Sequence, residues 1–137
     1  LHTDQGILKF QEYFVQHHHK PKIYEIDYVG ASSAMPSTNF STALETAQSI
    51  IICPSNPFLS IAPILAINGV RELIQKFQGP RIAVSPLASG QGFLGPTAKI
   101  MEELNIAPTS LAVAELYKDI GDIFIIDNSD AEYVDSL

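Results

Sequence analysis

Two stretches of the 137-residue sequence gather the residue types that hold anions. The first is Cys53-Pro54-Ser55-Asn56-Pro57-Phe58-Leu59-Ser60-Ile61. Its two prolines fix the backbone and remove competing N–H donors. Ser55, Asn56 and Ser60 then offer hydroxyl, amide and backbone donors to a phosphate or a base. The plain alternative is a strand-to-helix turn with an N-cap, for which Ser and Asn-Pro are ordinary residues. The second stretch runs from Ser85 through Pro86, Gly90, Gly92, Gly95 and Pro96 to Lys99. Each stretch follows an apolar run and precedes a predicted helix. Free N–H groups and the helix dipole at such a junction attract negative charge.

The second stretch contains a literal G-x-G-x-x-G at Gly90, Gly92 and Gly95. A dinucleotide fingerprint follows its strand at once and opens a helix. Here four residues separate Ser85 from Gly90, Pro96 follows the last glycine, and the acid twenty residues on, Glu115, falls in a predicted helix rather than at a strand end. The dinucleotide reading is therefore set aside. Lys99 falls in the first turn of its predicted helix, where a cation opposes the dipole. A bound anion would remove that conflict; a solvent-facing side chain would simply bear it.

Other chemistry-bearing residues converge less. His17, His18 and His19 are consecutive, so a helix would fan them about 100° apart and away from any single metal. They suit a solvated helix end. Cys53 closes an apolar strand with no histidine near it in sequence, which favours inert packing. Asp4, Asp27, Asp122 and Asp127 show no recognisable metal-ligand spacing. A G-x-S-x-G elbow and a G-x-x-x-x-G-K phosphate loop are both absent from the sequence.

The elements that must position the two stretches follow from hydrophobic pattern. Ser49–Cys53, Arg81–Val84 and Asp122–Asp127 are short apolar runs, as expected of strands buried on both faces in a parallel sheet. Lys22–Tyr28 also reads as a strand. Residues 1–20 open with a Thr3-Asp4-Gln5-Gly6 turn, followed by apolar residues that fit either a helix face or a strand start. Helices are predicted from Asn39 or Ser41 to Gln48, over Leu59–Ile67 and over Val70–Phe77. Three more follow: Pro96 (first helical residue) to Leu104, Pro108-Thr109-Ser110 (cap) to Ile120, and a last one capped by Ser129 with Glu132 in a capping box. Residues 85–95 read as a long loop. Strands alternating with helices predict an α/β class: a three-layer, mostly parallel Rossmann-like sheet with helices on both faces. Residues 1–137 read as one domain or one lobe.

Composition closes off several functions. No run approaches the roughly 20 apolar residues of a membrane span, and one cysteine makes no disulfide scaffold. That lone thiol fits a reducing, cytoplasmic compartment. Net charge is −7. Residues 1–100 carry seven bases and six acids; residues 101–137 carry Lys118 and nine acids. Nucleic-acid binding needs clustered Lys and Arg and is not expected. The acidic final third reads as solvated helix faces.

The stretches Phe10–Val15, Cys53–Ile61, Pro63–Ala66, Gly69–Glu72, Ala83–Pro86 and Gly95–Lys99, in this order and spacing, resemble the 2-phospho-L-lactate transferase family. The pairing of P-S-N-P with S-P…G-P-x-x-K carries most of the likeness, which runs from His2 to about Asp130. The resemblance implies transfer of a phospholactyl or phosphoenolpyruvyl group from a GDP-linked donor to the deazaflavin alcohol Fo. GMP leaves and Mg²⁺ assists, in coenzyme F420 biosynthesis by a cytoplasmic homodimer. It also implies that Ser55 and Asn56 face the nucleotide, that Ser85, Gly95 and Lys99 sit near the phosphates, and that Thr3 and Asp4 approach the site. The family's Gly-Gly-Thr-Gly loop, its metal-binding Asp residues and most of its deazaflavin pocket have no counterpart here. The chain therefore resembles a carboxyl-terminal portion, with catalytic residues and metal ligands expected outside it and no turnover expected of it alone. The alternative is a regulatory, non-catalytic nucleotide-sugar binder of the YvcK-like group. That group tends to read Gly-Pro-Gly-Ser where this chain has Pro-Ser-Asn-Pro.

Overall fold

The β-branched runs form the strands that their composition predicts. In the computed structural model, which describes residues 1–92 and 95–137, β4 (Ile50–Ile52), β5 (Arg81–Val84) and β8 (Ile123–Ile125) make a parallel sheet in that order. Ile51, Ile82 and Ile123 share one row across the sheet, and Ile52, Ala83 and Phe124 the next. Side chains alternate between faces along a strand, so these rows face opposite ways. Helices α3 (Val70–Gln75) and α5 (Ser110–Tyr117) flank the sheet. Val70, Ile74, Val113 and Tyr117 close a core over Ile52 and Ala83. The chain is thus α/β, with a parallel Rossmann-like sheet flanked by helices, as the sequence predicts. The other face is more open, with Ile51 60%, Ile123 50% and Ile125 49% exposed.

The amino-terminal segment makes a separate antiparallel sheet, β2 (Gly6–Ile7), β1 (His2–Thr3) and β3 (Ile23–Glu25), in that order. The Thr3 hydroxyl donates to the Gly6 carbonyl and accepts from the Gln5 N–H, closing the turn. Glu12–Gln16 is a π-helical turn, which puts the fully buried Tyr13 beside Ile23 and Ile100 in a second core. The sequence leaves these residues open between helix and strand; each description holds for part of them.

Several helix starts differ from expectation. Helix α1 spans Thr38–Thr46 and is capped by Ser37, whose hydroxyl accepts from the Phe40 N–H, rather than by Asn39 or Ser41. Ser37 follows Pro36 in an extended conformation, the geometry an N-cap needs. The helix expected from Leu59 begins earlier, as a π-helical turn Pro57–Ile61 leading into α2 (Ala62–Leu65). Pro96 caps α4 (Thr97–Glu103) instead of opening it. Thr109 caps α5, its hydroxyl accepting from the Ala112 N–H. The final segment, Asn128–Ser136, is two 3₁₀ pieces joined by a kink at Asp130 and is capped by Asp127, which accepts from the Ser129 N–H and hydroxyl. Ser129 is therefore the residue capped, not the cap.

The stretch expected to be one loop holds a hairpin, β6 (Leu87–Ala88) with β7 (Gln91–Gly92). Its two-residue turn, Ser89-Gly90, has φ of +50° and +72°. Positive φ at both positions is the type I′ geometry that matches strand twist. Two of the three fingerprint glycines thus serve a hairpin. Phe93 and Leu94 lie outside the described residues.

Candidate functional site

Beyond the carboxyl ends of β4 and β5, the two stretches meet in one cleft of about 310 Å³. This is where parallel sheets ordinarily bind ligands. Ser55, Asn56 and Ser60 come from the first stretch, and Pro86, Gly95, Pro96 and Thr97 from the second. Phe10 and Phe14 form the facing wall, stacked with ring centroids 5.6 Å apart. They are 44% and 37% exposed, high for aromatic rings. Both π-helical turns reach the cleft, through Phe14 and through Leu59 and Ser60. Such turns are rare and concentrate at functional sites.

Asn56 organises the polar side. Its Oδ1 accepts from the Phe58 N–H at 3.0 Å and the Leu59 N–H at 2.9 Å. Its carbonyl accepts from the N–H groups of Ser60 and Ile61. The N–H groups of Phe58, Leu59, Ser60 and Ile61 are thus met from within. The hydroxyls of Ser55 and Ser60 belong to residues that line the cleft. The Asn56 Nδ2 donates to Thr97 Oγ1 at 3.3 Å, joining the two stretches across 41 residues. Gly95, with φ of +70°, makes the bend into α4 without a side chain in the way.

Ser85 and Lys99 stand behind this surface. Ser85 is 2% exposed, and its hydroxyl meets Ser110 Oγ at 2.8 Å and accepts from the Leu87 N–H at 3.1 Å. Lys99 donates to the Pro21 carbonyl at 2.9 Å and pairs with Glu103 at 2.7 Å, one helical turn on. Glu103 in turn accepts from the Ile23 N–H. The pair therefore ties α4 to the amino-terminal sheet. Burial pushes the Tyr13 phenol above its ordinary pKa, and the adjacent Lys99 partly opposes this. Asp4 accepts from the Lys22 N–H and Thr3 closes its own turn, so both serve the small sheet.

Among the described residues, none that lines the cleft carries a charge. The donor set is hydroxyl and amide, whereas hard divalent cations take carboxylate-rich oxygen shells. Among the described residues no three His, Cys, Asp or Glu side chains converge on a metal-sized point. The cleft residues alone do not fit Mg²⁺. An apolar groove of about 480 Å³ adjoins the cleft and shares Phe10 and Leu59 with it.

The sequence family described as 2-phospho-L-lactate transferase CofD matches residues 1–136. The chain belongs to that family. Proteins named 2-phospho-L-lactate transferase share 36% identity over 130 residues in Methanosarcina mazei and 35% over 130 residues in both Methanosarcina barkeri and Methanothermobacter thermautotrophicus. Each alignment covers 95% of this chain but 41–42% of the relative, so the chain spans about two-fifths of their length. The residues that carry the family likeness therefore include both walls of the cleft. Phe10, Phe14 and Thr97 were not singled out from sequence as site residues. The Phe10–Phe14 spacing of four is the signal that points to a shared face.

Proposed function

We propose that this chain is the carboxyl-terminal lobe of a transferase in coenzyme F420 biosynthesis. The whole protein would move a phospholactyl or phosphoenolpyruvyl group from a GDP-linked donor to the alcohol of Fo. The Fo hydroxyl oxygen forms the new bond to phosphorus, the anhydride P–O bond breaks, its oxygen leaves with GMP, and the hydroxyl proton goes to solvent or a base. Family membership supports the reaction class. The observation that carries the reading is the cleft itself, which brings the hydroxyls of Ser55 and Ser60 together with the stacked rings of Phe10 and Phe14. That combination suits a ligand with phosphate at one end and a ring at the other.

The same cleft supports inactivity of the lobe alone. Phosphoryl transfer is positioning plus neutralisation of phosphate charge. This lobe positions with neutral dipoles and lines the cleft with no cation. Mg²⁺ and the catalytic groups belong to the rest of the protein, working as a cytoplasmic homodimer. Among the described residues no helix is long and apolar enough to cross a membrane. The open sheet face of Ile51, Ile123 and Ile125 supports the lobe reading too, because parallel sheets are ordinarily covered on both faces.

The test is an assay of F420-0 or dehydro-F420-0 formation from donor and Fo. The whole protein should turn over and residues 1–137 should not. Calorimetry on the whole protein should show binding of GDP and none of UDP-N-acetylglucosamine. The reverse preference would support the nucleotide-sugar-binding alternative and overturn this reading.

A further inference from the structure

Asp130 is, among the described residues, the one buried acid, 2% exposed. No Lys, Arg or His of those residues pairs with it. A buried carboxylate without a cation is costly unless it is fully hydrogen-bonded. Its partners are hydroxyl and backbone donors. Oδ2 accepts from Ser110 Oγ, and Oδ1 accepts from the Ser89 N–H at 2.9 Å. Ser110 has one hydroxyl proton and gives it to Asp130. Ser85 Oγ lies 2.8 Å from Ser110 Oγ and 3.2 Å from the Leu87 carbonyl, so its own single proton serves one of the two at a time. Ser85 also accepts from the Leu87 N–H, and the bonds together link Leu87 through Ser85 and Ser110 to Asp130. Such chains strengthen one another in a dry interior.

The anchored groups belong to the hairpin. Leu87 and Ser89 hold β6 and its turn, and Leu87 pairs with Gly92 on β7. Gly92 lies against Thr97 so closely that a Cβ there would meet Thr97 Cβ at 3.3 Å. Thr97 accepts from Asn56 on the polar side of the cleft. A single path thus runs from the 3₁₀ segment at Asp130 to the cleft.

We infer that Asp130, acting through Ser110, Ser85 and Ser89, is a positioning residue that fixes the hairpin behind the Gly95–Thr97 wall and so sets affinity for the phosphate-bearing donor. This rests on reading the cleft as the donor site. No atom of Asp130 reaches the cleft, so its effect falls on donor binding rather than on the chemical step.

The experiment uses the whole protein and three variants, Asp130→Ala, Ser110→Ala and Val113→Ala. Val113 is fully buried beside the network without hydrogen-bonding to it, so its truncation reports lost packing alone. Asp130→Ala and Ser110→Ala should raise the donor KM roughly tenfold, leave kcat within about twofold and leave the Fo KM unchanged. Hydrogen exchange at Leu87 and Ser89 should quicken in both. Val113→Ala should lower the melting temperature and leave the donor KM in place. If Asp130→Ala does not fold, Ser110→Ala carries the comparison. Unchanged donor KM in Ser110→Ala, or an equal rise in Val113→Ala, overturns the positioning role. A wild-type protein that neither binds GDP nor turns over overturns the donor-site reading instead.

Discussion

Asn56 separates the structural from the ligand-binding demands on the cleft, because two substitutions split its roles. Asn56→Ala removes the cap from Phe58 and Leu59 and the link to Thr97. Loss of an N-cap costs about 1 kcal/mol, and loss of a half-buried neutral hydrogen bond about 0.5–1.5 kcal/mol. The sum, about 2 kcal/mol, lowers the melting temperature of the whole protein, of which this chain is about two-fifths, by roughly 3 °C. Asn56→Asp keeps an oxygen for the cap, and the Thr97 hydroxyl can rotate to donate to it, so the melting temperature should move by less than about 2 °C. The variant does place a negative charge beside the phosphate. At about 5 Å and an effective dielectric near 20, like charges cost about 3 kcal/mol. That is a loss of GDP affinity of roughly 100-fold. Differential scanning calorimetry and GDP titration on the whole protein read the two effects separately. Wild-type GDP affinity in Asn56→Asp, at an unchanged melting temperature, would place the anion elsewhere. An unchanged melting temperature in Asn56→Ala would refute the capping argument.

Three other perturbations test the frame around the cleft. A Cβ at Gly79 would lie 2.5 Å from the Gln48 carbonyl and 2.7 Å from Phe77 Cε1. Gly79→Ala should therefore cost about 1–3 kcal/mol in urea unfolding, with an unchanged m-value. Arg71 holds the Asp119 carboxyl at about 2, below its ordinary value of 3.8, chiefly by hydrogen bonding. A depressed folded pKa stabilises above the unfolded value and is lost as pH falls through the folded one. With the Asp119 side chain 35% exposed, this is worth at most about 1 kcal/mol. Arg71→Met should be less stable than wild type at pH 7, and that difference should shrink between pH 4 and pH 2. The third test, Ile123→Lys and Ile125→Lys, alters half-exposed positions on the open face. Each should raise the solubility of residues 1–137 with a stability change within about 0.5 kcal/mol, and should lower the yield of folded whole protein if that face is interior there.

Legibility followed the range of the interactions. The parallel strands were readable because Ile50–Ile52, Arg81–Val84 and Ile123–Ile125 carry their signal in adjacent residues. Cap positions slipped by a few residues because Ser37, Asn39 and Ser41 are all competent N-caps by type, and only the extended backbone after Pro36 selects Ser37. The Leu87–Gly92 hairpin was missed because its strands are two residues each, too short for any alternation, and only Ser89-Gly90 hinted at the turn. Ser55, Asn56 and Gly95 were legible as cleft residues from turn chemistry beside a strand end. Lys99 raised the right conflict with the dipole, but its resolution, Glu103 one turn on, is equally present in sequence. Ser85, Ser110 and Asp130 lie 25 and 20 residues apart with no pattern linking them. Only the fold brings them together.

The distribution of charge is compatible with the proposed donor site in a chain of net charge −7. The acids of the final third do not line the cleft. Glu103, Asp119 and Asp122 are spent on Lys99, Arg71 and Arg81, which tie separate elements together, and Glu115 pairs with Lys118 at the end of its own helix. Asp130 is spent on hydroxyls and a backbone N–H. Glu132 and Asp135 are exposed, where a Debye length of about 8 Å at physiological salt screens them. A phosphate in the cleft therefore meets neutral dipoles at contact distance and most negative charges only through water. Position, not net charge, decides the outcome. Glu132→Gln removes one full negative charge from the surface and should change GDP affinity of the whole protein by less than twofold. Asn56→Asp adds one at the cleft and should abolish most of it. Equal effects of the two substitutions would mean that long-range charge governs binding and that the neutral lining is incidental.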